Sequence, residues 1–276
     1  MSAPARSVLV TGASSGIGEA AARRLARAGW RVLAGVRTDA DADRIRGERI
    51  EPVTIDITEP ATIAAVAETL GDAPLHGLVN NAGTALAMPL ELLPLEQLRG
   101  QLEVNLVGHV AVTQALLPNL RAARGRIVNV GSIAGRSALP FLGAYAASKH
   151  ALEAVTDVWR VELRPFGIEV TVIEPGTIAT PIWRKGGERF QELAADLPPE
   201  LGELYAARMA AFREAVAAAG RRAEPAGDVA IAVERALTED RPKARYVVGR
   251  DARRRAMVER LPARLRDRVY ERVLLR

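Results

Sequence analysis

Apolar residues along this chain follow two alternating rhythms. Short, largely apolar runs at 7–11, 31–36, 50–55, 77–79, 126–130, 169–174 and 245–248 read as strands. A strand covered on both faces loses the in-and-out alternation of a surface strand and becomes a nearly continuous apolar run. Between these runs lie longer stretches with apolar residues at helical spacing, at 19–28, 59–70, 95–123, 145–163 and 228–237. Strand and helix alternating in this way predict an α/β fold, a doubly wound parallel sheet of about seven strands in a single domain spanning 1–276.

The last hundred residues interrupt the alternation. Between 177 and 226 large apolar side chains recur at helical spacing without a strand: Ile178, Ile182, Trp183, Phe190, Leu193, Leu197, Leu201, Leu204, Tyr205, Met209 and Phe212. A second such segment, 250–276, places Leu261, Leu265, Val269 and Val273 four residues apart with arginines between them, a basic amphipathic pattern. It reads as a cover for the protein's own helices or for a partner subunit, with contact to an anionic membrane surface as the lesser alternative.

Composition narrows the chemistry. Hydrophobic residues make up 49% and charged residues 26% of the 276, the profile of a soluble globular protein. There is no cysteine, which removes disulfides, thiolate metal sites and cysteine nucleophiles, and the three histidines show no ligand spacing, so no metal is expected. The net charge of +5 is carried largely after Arg250 and lacks an aromatic platform beyond Tyr270, so nucleic acid is not expected as a partner. The N-terminus has no pattern of a secretory signal and no long apolar span appears, so the expected location is cytoplasmic.

Chemistry-bearing residues fall at strand ends. The run at 7–11 breaks into Gly12-Ala13-Ser14-Ser15-Gly16-Ile17-Gly18 and then a helix, the first half of a Rossmann-type nucleotide-binding unit. The glycines allow a tight turn and close approach, and the helix N-terminus offers free N–H groups to a pyrophosphate. The second strand ends at Val36-Arg37, where an acid would pair with an NAD ribose hydroxyl and an arginine with a 2′-phosphate. Arg37 therefore points to NADP(H) over NAD(H), although Asp39, Asp41 and Asp43 follow closely. Asp56 lies beyond the third strand, Asn80-Asn81-Ala82-Gly83 at the end of the fourth, and Gly131-Ser132 after the fifth. Asn105 sits inside an apolar helical stretch, and Tyr145 and Lys149 are one helical turn apart, close enough for the ammonium to favour the phenolate.

Taken together, the stretches TGASSGIG, Asp56, NNAG, Asn105, Ser132, YAASK and PGTIAT resemble the short-chain dehydrogenase/reductase family over roughly the first two-thirds of the chain. The tail and the stretches 32–37 and 138–149 resemble its hydroxysteroid and retinol dehydrogenase-like branch. The resemblance implies catalytic roles for Asn105, Ser132, Tyr145 and Lys149. Tyr145 would move the proton, Lys149 would lower its pKa and hold the nicotinamide ribose, Ser132 would bond the substrate oxygen, and Asn105 would hold a relay water. It implies cofactor contacts from Gly12, Ser14, Ser15, Gly16, Ile17, Gly18, Arg37, Asp56, Ile57, Asn81, Ala82 and Gly83. Tyr145, Lys149, Pro175, Gly176, Ile178 and Thr180 complete that set. Gly131 departs from the family, which often has a second serine there.

The same resemblance makes 177–226 a substrate lid, long and apolar, and so implies a lipophilic alcohol or carbonyl such as a steroid, retinoid or bulky ketone. It also implies a homodimer or homotetramer, pairing through 95–123 and 141–163. An NAD-dependent alcohol dehydrogenase and a catalytically idle NADP-binding sensor are the competing readings.

Overall fold

The computed structural model describes residues 6–195 and 197–274, with side chains through 272. Residues 1–5, the Val273 side chain of the amphipathic repeat and the end of the extension at 275–276 lie outside the described part. Along the chain run β1 (Ser7–Val10), α1 (Gly16–Arg27), β2 (Arg31–Val36), α2 (Asp39–Ile45), β3 (Ile50–Thr54), α3 (Pro60–Leu70), β4 (Gly77–Asn80), α4 (Leu95–Leu102) and α5 (Gly108–Ala123). After them come β5 (Arg126–Val130), α6 (Gly143–Glu162), β6 (Glu169–Pro175), α7 (Ile182–Ala195), α8 (Pro199–Gly220), α9 (Ala226–Thr238), β7 (Arg245–Val248), α10 (Arg250–Val258) and α11 (Ala263–Leu274).

All strand pairings are parallel, in the order β3-β2-β1-β4-β5-β6-β7. The chain winds outward from β1 in one direction and from β4 in the other, so the strand order reverses between them and opens a crevice at their C-terminal ends. One face is covered by α1, α2 and α9 through Ala21, Leu25, Ile45 and Val233. The other is covered by α3, α5 and α6 through Ile63, Val66, Leu116 and Trp159. Burial on both sides is what made the strands continuous apolar runs in the sequence.

Two elements differ from the sequence expectation. The stretch 95–123 is not one helix: α4 and α5 are separated by a π-helical turn, Glu103–Val107, centred on Asn105. The Asn105 amide reaches out of the helix to Thr84 and Ser148, and a π-turn is the usual way a helix takes up the extra residue at such a site. The helix α2 went unanticipated because its aspartates alternate with alanines and leave Ile45 as its only fully apolar anchor. Its start is marked by Thr38, whose hydroxyl accepts from the Asp41 N–H at 3.2 Å.

Two polar assemblies cross the core. Asn80 on β4 donates to Thr113 on α5 and to Asn129 on β5, each at 2.9 Å, and Asn129 donates to Thr156 on α6 at 2.8 Å. The second is ionic and fixes the edge strand β7. Arg245 bonds Glu153 at 3.0 Å and Asp157 at 2.8 Å on α6, and lies 3.2 Å from Glu174 on β6, which also pairs with Arg136. No helix among the described residues is long and apolar enough to cross a membrane.

Glu153 is a buried member of that cluster, and its Oε1 has no hydrogen-bond partner. Burial first, and then the nearby Glu174 carboxylate, push it up to about 7 against the pull of Arg245. A folded-state pKa above the ordinary 4.5 means that Glu153 favours folding while it holds its proton. That contribution is complete below about 4.5 and is lost as pH rises through about 7. Glu153→Gln, neutral at every pH, should therefore gain stability over the parent across that window, on the order of 3 kcal/mol, and no further above it. Urea denaturation of both proteins from pH 4 to 9 tests this, and a pH-independent difference would contradict it.

Candidate active site

The Gly-rich turn between β1 and α1 is held from below by β4. Thr11 Oγ1 accepts from the N–H groups of Asn81 and Ala82 at 2.9 and 3.1 Å, and Asn81 Nδ2 donates to the carbonyls of Thr11 and Gly12 at 2.9 and 3.2 Å. Gly18 passes so close beneath that a Cβ would sit 2.2 Å from the Gly12 oxygen. Its contribution is packing, and unlike the other predicted cofactor residues it does not line the cleft. The N-cap of α1, Ser15, makes no side-chain capping bond, so the first-turn N–H groups remain available to an anion.

This turn opens onto a cleft of about 420 Å³ at the strand-order reversal. Apart from Gly18, every predicted cofactor residue lines it, together with Ser132. Asn105 does not; it is fully buried behind the wall. Thr58, Thr84, Val104, Pro181 and Lys185 also line the cleft without having been singled out in the sequence, since nothing in their local pattern marks them.

At the far end of the cleft Arg37 extends into solvent with its side chain 70% exposed, its Nη1 3.8 Å from Asp56 Oδ2. Asp56 Oδ1 accepts from the Thr58 N–H at 3.0 Å and hydroxyl at 2.7 Å. Partial burial pushes the Asp56 carboxyl up, but these Thr58 bonds and the Arg37 charge outweigh it and hold it below its ordinary range. Arg44 on α2 ties this end to the Gly-rich turn by donating to the Ser14 carbonyl at 2.7 Å.

Ser132, Tyr145 and Lys149 meet where β5 and α6 converge, all three buried. Ser132 Oγ accepts from the Ala134 N–H at 3.1 Å. Lys149 Nζ donates to the Val130 carbonyl at 3.0 Å and stands 5.9 Å from the centre of the Tyr145 ring. Gly131, the departure from the family pattern, has a physical reason. A Cβ there would lie 2.9 Å from Val172, 3.2 Å from the Ile173 carbonyl and 3.3 Å from Glu153 Oε1, so these three together crowd the space a serine would need.

Burial holds the Tyr145 phenol above its ordinary value, against downward pulls from Ser132 and the Arg255 charge. Lys149 is itself pushed down to about 8 by burial, with Glu153 one turn further along α6 supporting its charge. His109, fully buried nearby, is held neutral by burial and by Lys149, its pKa down at about 3. The Asn105 side chain is fully engaged: its Oδ1 accepts from Thr84 N–H at 2.9 Å, and its Nδ2 donates to Thr84 O at 2.9 Å and Ser148 Oγ at 3.0 Å.

Of the apolar residues at 177–226, most pack inward. Phe190, Leu193, Leu197, Leu201 and Tyr205 cover Leu86, Met88, Leu92 and Leu93, while Met209 and Phe212 are buried. Phe141 meets the Tyr205 and Phe212 rings edge-on, and Leu142 is buried. Ile178 lines the cleft, and Ile182 and Trp183 pack against Tyr145 at the catalytic end, where the Trp183 ring meets the Tyr145 ring edge-on with centroids 5.8 Å apart. The arrangement can pass a proton between Tyr145 and an oxygen held by Ser132, beside a cleft that accepts an extended anionic nucleotide.

Comparison with known proteins agrees with this geometry. The family model described as short chain dehydrogenase matches residues 6–189. Human 17-beta-hydroxysteroid dehydrogenase type 6 is 38% identical over 261 residues, covering 89% of this chain and 81% of its own. Human retinol dehydrogenase 16 is 40% identical over 260 residues with the same shares. Among solved structures, a short-chain dehydrogenase from Streptomyces avermitilis superposes with a TM-score of 0.81 at 28% identity, over 99% of this chain and 98% of that one. A Burkholderia cenocepacia short chain dehydrogenase in complex with NADP superposes at 0.75 and 29% identity, over 98% of each chain. A Burkholderia phymatum relative in complex with NAD superposes at 0.75 and 25%, over 88% of each. With its sheet order, its cofactor cleft and the serine, tyrosine and lysine gathered at one end, the chain belongs to the short-chain dehydrogenase family, as an oxidoreductase of the hydroxysteroid and retinol dehydrogenase-like type.

Proposed function

We propose that the protein is an NADP(H)-dependent oxidoreductase that interconverts a carbonyl and an alcohol on a lipophilic substrate, such as a steroid, a retinoid or a bulky ketone. The observation that carries this reading is the meeting of Ser132 and Tyr145 under the Trp183 ring at one end of the nucleotide cleft, with Arg37 at the other. When bound, the nicotinamide supplies or accepts the hydride, and the chain supplies position and a proton. The uncapped start of α1 receives the pyrophosphate, and Arg37 the 2′-phosphate.

Because Ser132 Oγ accepts from the Ala134 N–H, its own proton is free to be donated to the substrate oxygen. Tyr145 gives its proton to that oxygen in reduction and takes it back in oxidation. Lys149 approaches the ribose and supports negative charge on the phenol. The Asn105 side chain, bonded to Thr84 and Ser148, fixes the π-turn beside Lys149. Val104, Ile182 and Trp183 make the substrate wall apolar, and the names of the hydroxysteroid and retinol dehydrogenase relatives favour the same substrate class.

One observation favours NAD(H) as the second reading: Asp56 Oδ2 stands near Arg37 and offsets part of its charge. Oxidation of NADPH and NADH by the purified protein, with carbonyls graded from small aldehydes to steroids and retinal, decides both cofactor and substrate class. NADPH with bulky apolar carbonyls is the expected outcome. NADH preference or a preference for small polar carbonyls would overturn the corresponding half.

Tyr145→Phe should bind NADPH as the parent does while losing about 10²–10⁴-fold in turnover, as removal of an acid–base group does. Near-parental turnover would reject Tyr145 as the proton carrier. Arg37→Ala should weaken NADPH about 10–100-fold, the worth of a charge-assisted bond to phosphate, and leave NADH nearly unchanged. Equal weakening of both nucleotides, read by fluorescence titration, would reject the 2′-phosphate contact.

A further inference from the structure

The stretch that follows β6 forms one wall of the cofactor cleft. Gly176, Ile178 and Thr180 line the cleft, and Thr177 and Ala179 between them do not, the alternation of an extended chain. The wall runs from the pyrophosphate turn to the proton carrier. At one end a Cβ on Gly16 would lie 3.1 Å from Thr180 Cγ2, and at the other Trp183 meets Tyr145. With Arg37 at the adenosine end of the cleft, the nicotinamide half of a dinucleotide falls between the Gly-rich turn and Tyr145, alongside this wall.

The wall is tied off from behind. The Gly176 N–H donates to the Val248 carbonyl at 2.8 Å, the Ala179 N–H to the Glu224 carbonyl at 2.9 Å, and the Thr177 carbonyl accepts from the Glu224 N–H at 3.0 Å. The Thr177 N–H is the exception, for its partner is a side chain. Asp251 Oδ2, in the first turn of α10, accepts from it at 2.7 Å and from the Thr177 hydroxyl at 2.8 Å. A Cβ on Gly176 would sit 2.0 Å from Asp251 Oδ1, so the carboxylate lies directly against the wall. An acid in the first turn of a helix ordinarily serves that helix's own N-terminus. At α10 that task falls to Glu224, whose Oε1 accepts from the Arg250 N–H at 2.9 Å, and Asp251 reaches across to Thr177 instead. The helix is itself anchored one turn on, where Arg255 donates to Ser137 Oγ at 3.2 Å and to the Ser137 carbonyl at 2.9 Å. Ser137 is fully buried, and its Oγ lies 2.7 Å from the Tyr270 hydroxyl of α11.

We propose that Asp251 is a positioning residue for the nicotinamide end of the cofactor: through its two bonds to Thr177 it fixes the wall 176–180, and so couples the C-terminal extension to the site of hydride transfer. This rests on the reading of the cleft as an NADP(H) site. The remaining groups that touch Thr177 belong to the Glu224 main chain, which bonds 177 and 179 but leaves the Thr177 N–H and hydroxyl to Asp251. Without the carboxylate, those two donors lose their acceptor at the point where the wall leaves β6, and the residues that line the cleft on either side of Thr177 lose their fixed depth.

Calorimetric titration with NADPH and with 2′-phosphoadenosine diphosphoribose, the same molecule without its nicotinamide, separates the two halves of the cleft. Asp251→Ala should weaken NADPH about tenfold, the equivalent of one charge-assisted hydrogen bond, and leave the truncated nucleotide unchanged. Asp251→Asn keeps an oxygen for Thr177 and should return NADPH to within about threefold of the parent. Unchanged NADPH affinity in Asp251→Ala, equal weakening of both ligands, or no recovery in Asp251→Asn would overturn the proposal. Where Asp251→Ala does not fold, Thr177→Val removes the hydroxyl bond alone and should show the same selectivity at about threefold. NADH and ADP-ribose, titrated alongside, separate this proposal from the cofactor reading. A parent that binds only this second pair rejects NADP(H), and the selective loss at Asp251 is then read on NADH; a parent that binds neither pair rejects both.

Discussion

The four-residue spacing of α6 is the constraint on which the rest of the site depends. Tyr145, Lys149, Glu153 and Asp157 follow one another at i+4 and so form a single slanting stripe on the helix. The stripe runs from the mouth of the cofactor cleft through the buried Lys149 and Glu153 to the half-exposed Asp157, and its members change in character along it: phenol, ammonium, carboxyl, carboxylate. Burial acts on each of the first three in the direction that disfavours charge, raising Tyr145 and Glu153 and lowering Lys149. The groups are brought toward neutrality by the same helix that brings them together. The counter-charge for the two carboxyl groups comes from another element, Arg245 on β7.

How far this was legible in the sequence follows from the range over which each signal acts. Strands β2, β5 and β7 stand at their expected residues, because a buried parallel strand writes itself as an apolar run. The residues around the cleft were equally accessible, since each sits at a strand end or one helical turn from another member. Asn105 was found but its environment was not, because the partners of its amide, Thr84 and Ser148, are 21 and 43 residues away. Glu153 lay within reach of the same i+4 argument that paired Tyr145 with Lys149, had the stripe been followed one step further.

Arg255 and Tyr270 carried no local signal at all. In the sequence they belong to a tail read by its average, basic and amphipathic. The structure sorts that tail residue by residue: Tyr270 turns inward with Arg255, while Met257 and Leu265 remain exposed at 60% and 46%. The apolar stripe of the α7–α8 segment speaks mainly of packing. Most of its side chains are spent on packing, so the number of large apolar residues in such a segment measures its anchorage better than it measures the affinity of a cavity for lipid-like molecules.

The polar row Thr113–Asn80–Asn129–Thr156 crosses two helices and the two strands between them. Asn80 and Asn129 are direct partners in the β4–β5 pairing. The neighbours of both strands are valines, leucines and isoleucines, which differ little in size and would tolerate being shifted past one another. The asparagines would not: displacing β5 by one residue sets an amide against a hydrocarbon face and leaves its partner stranded in the core. The row therefore works as a registration pin at the centre of an otherwise interchangeable apolar sheet. Through it, the depth at which Ser132 emerges beside Tyr145 is set by Asn129, on the strand that leads into Ser132, and by Thr156, further along the same helix as Tyr145.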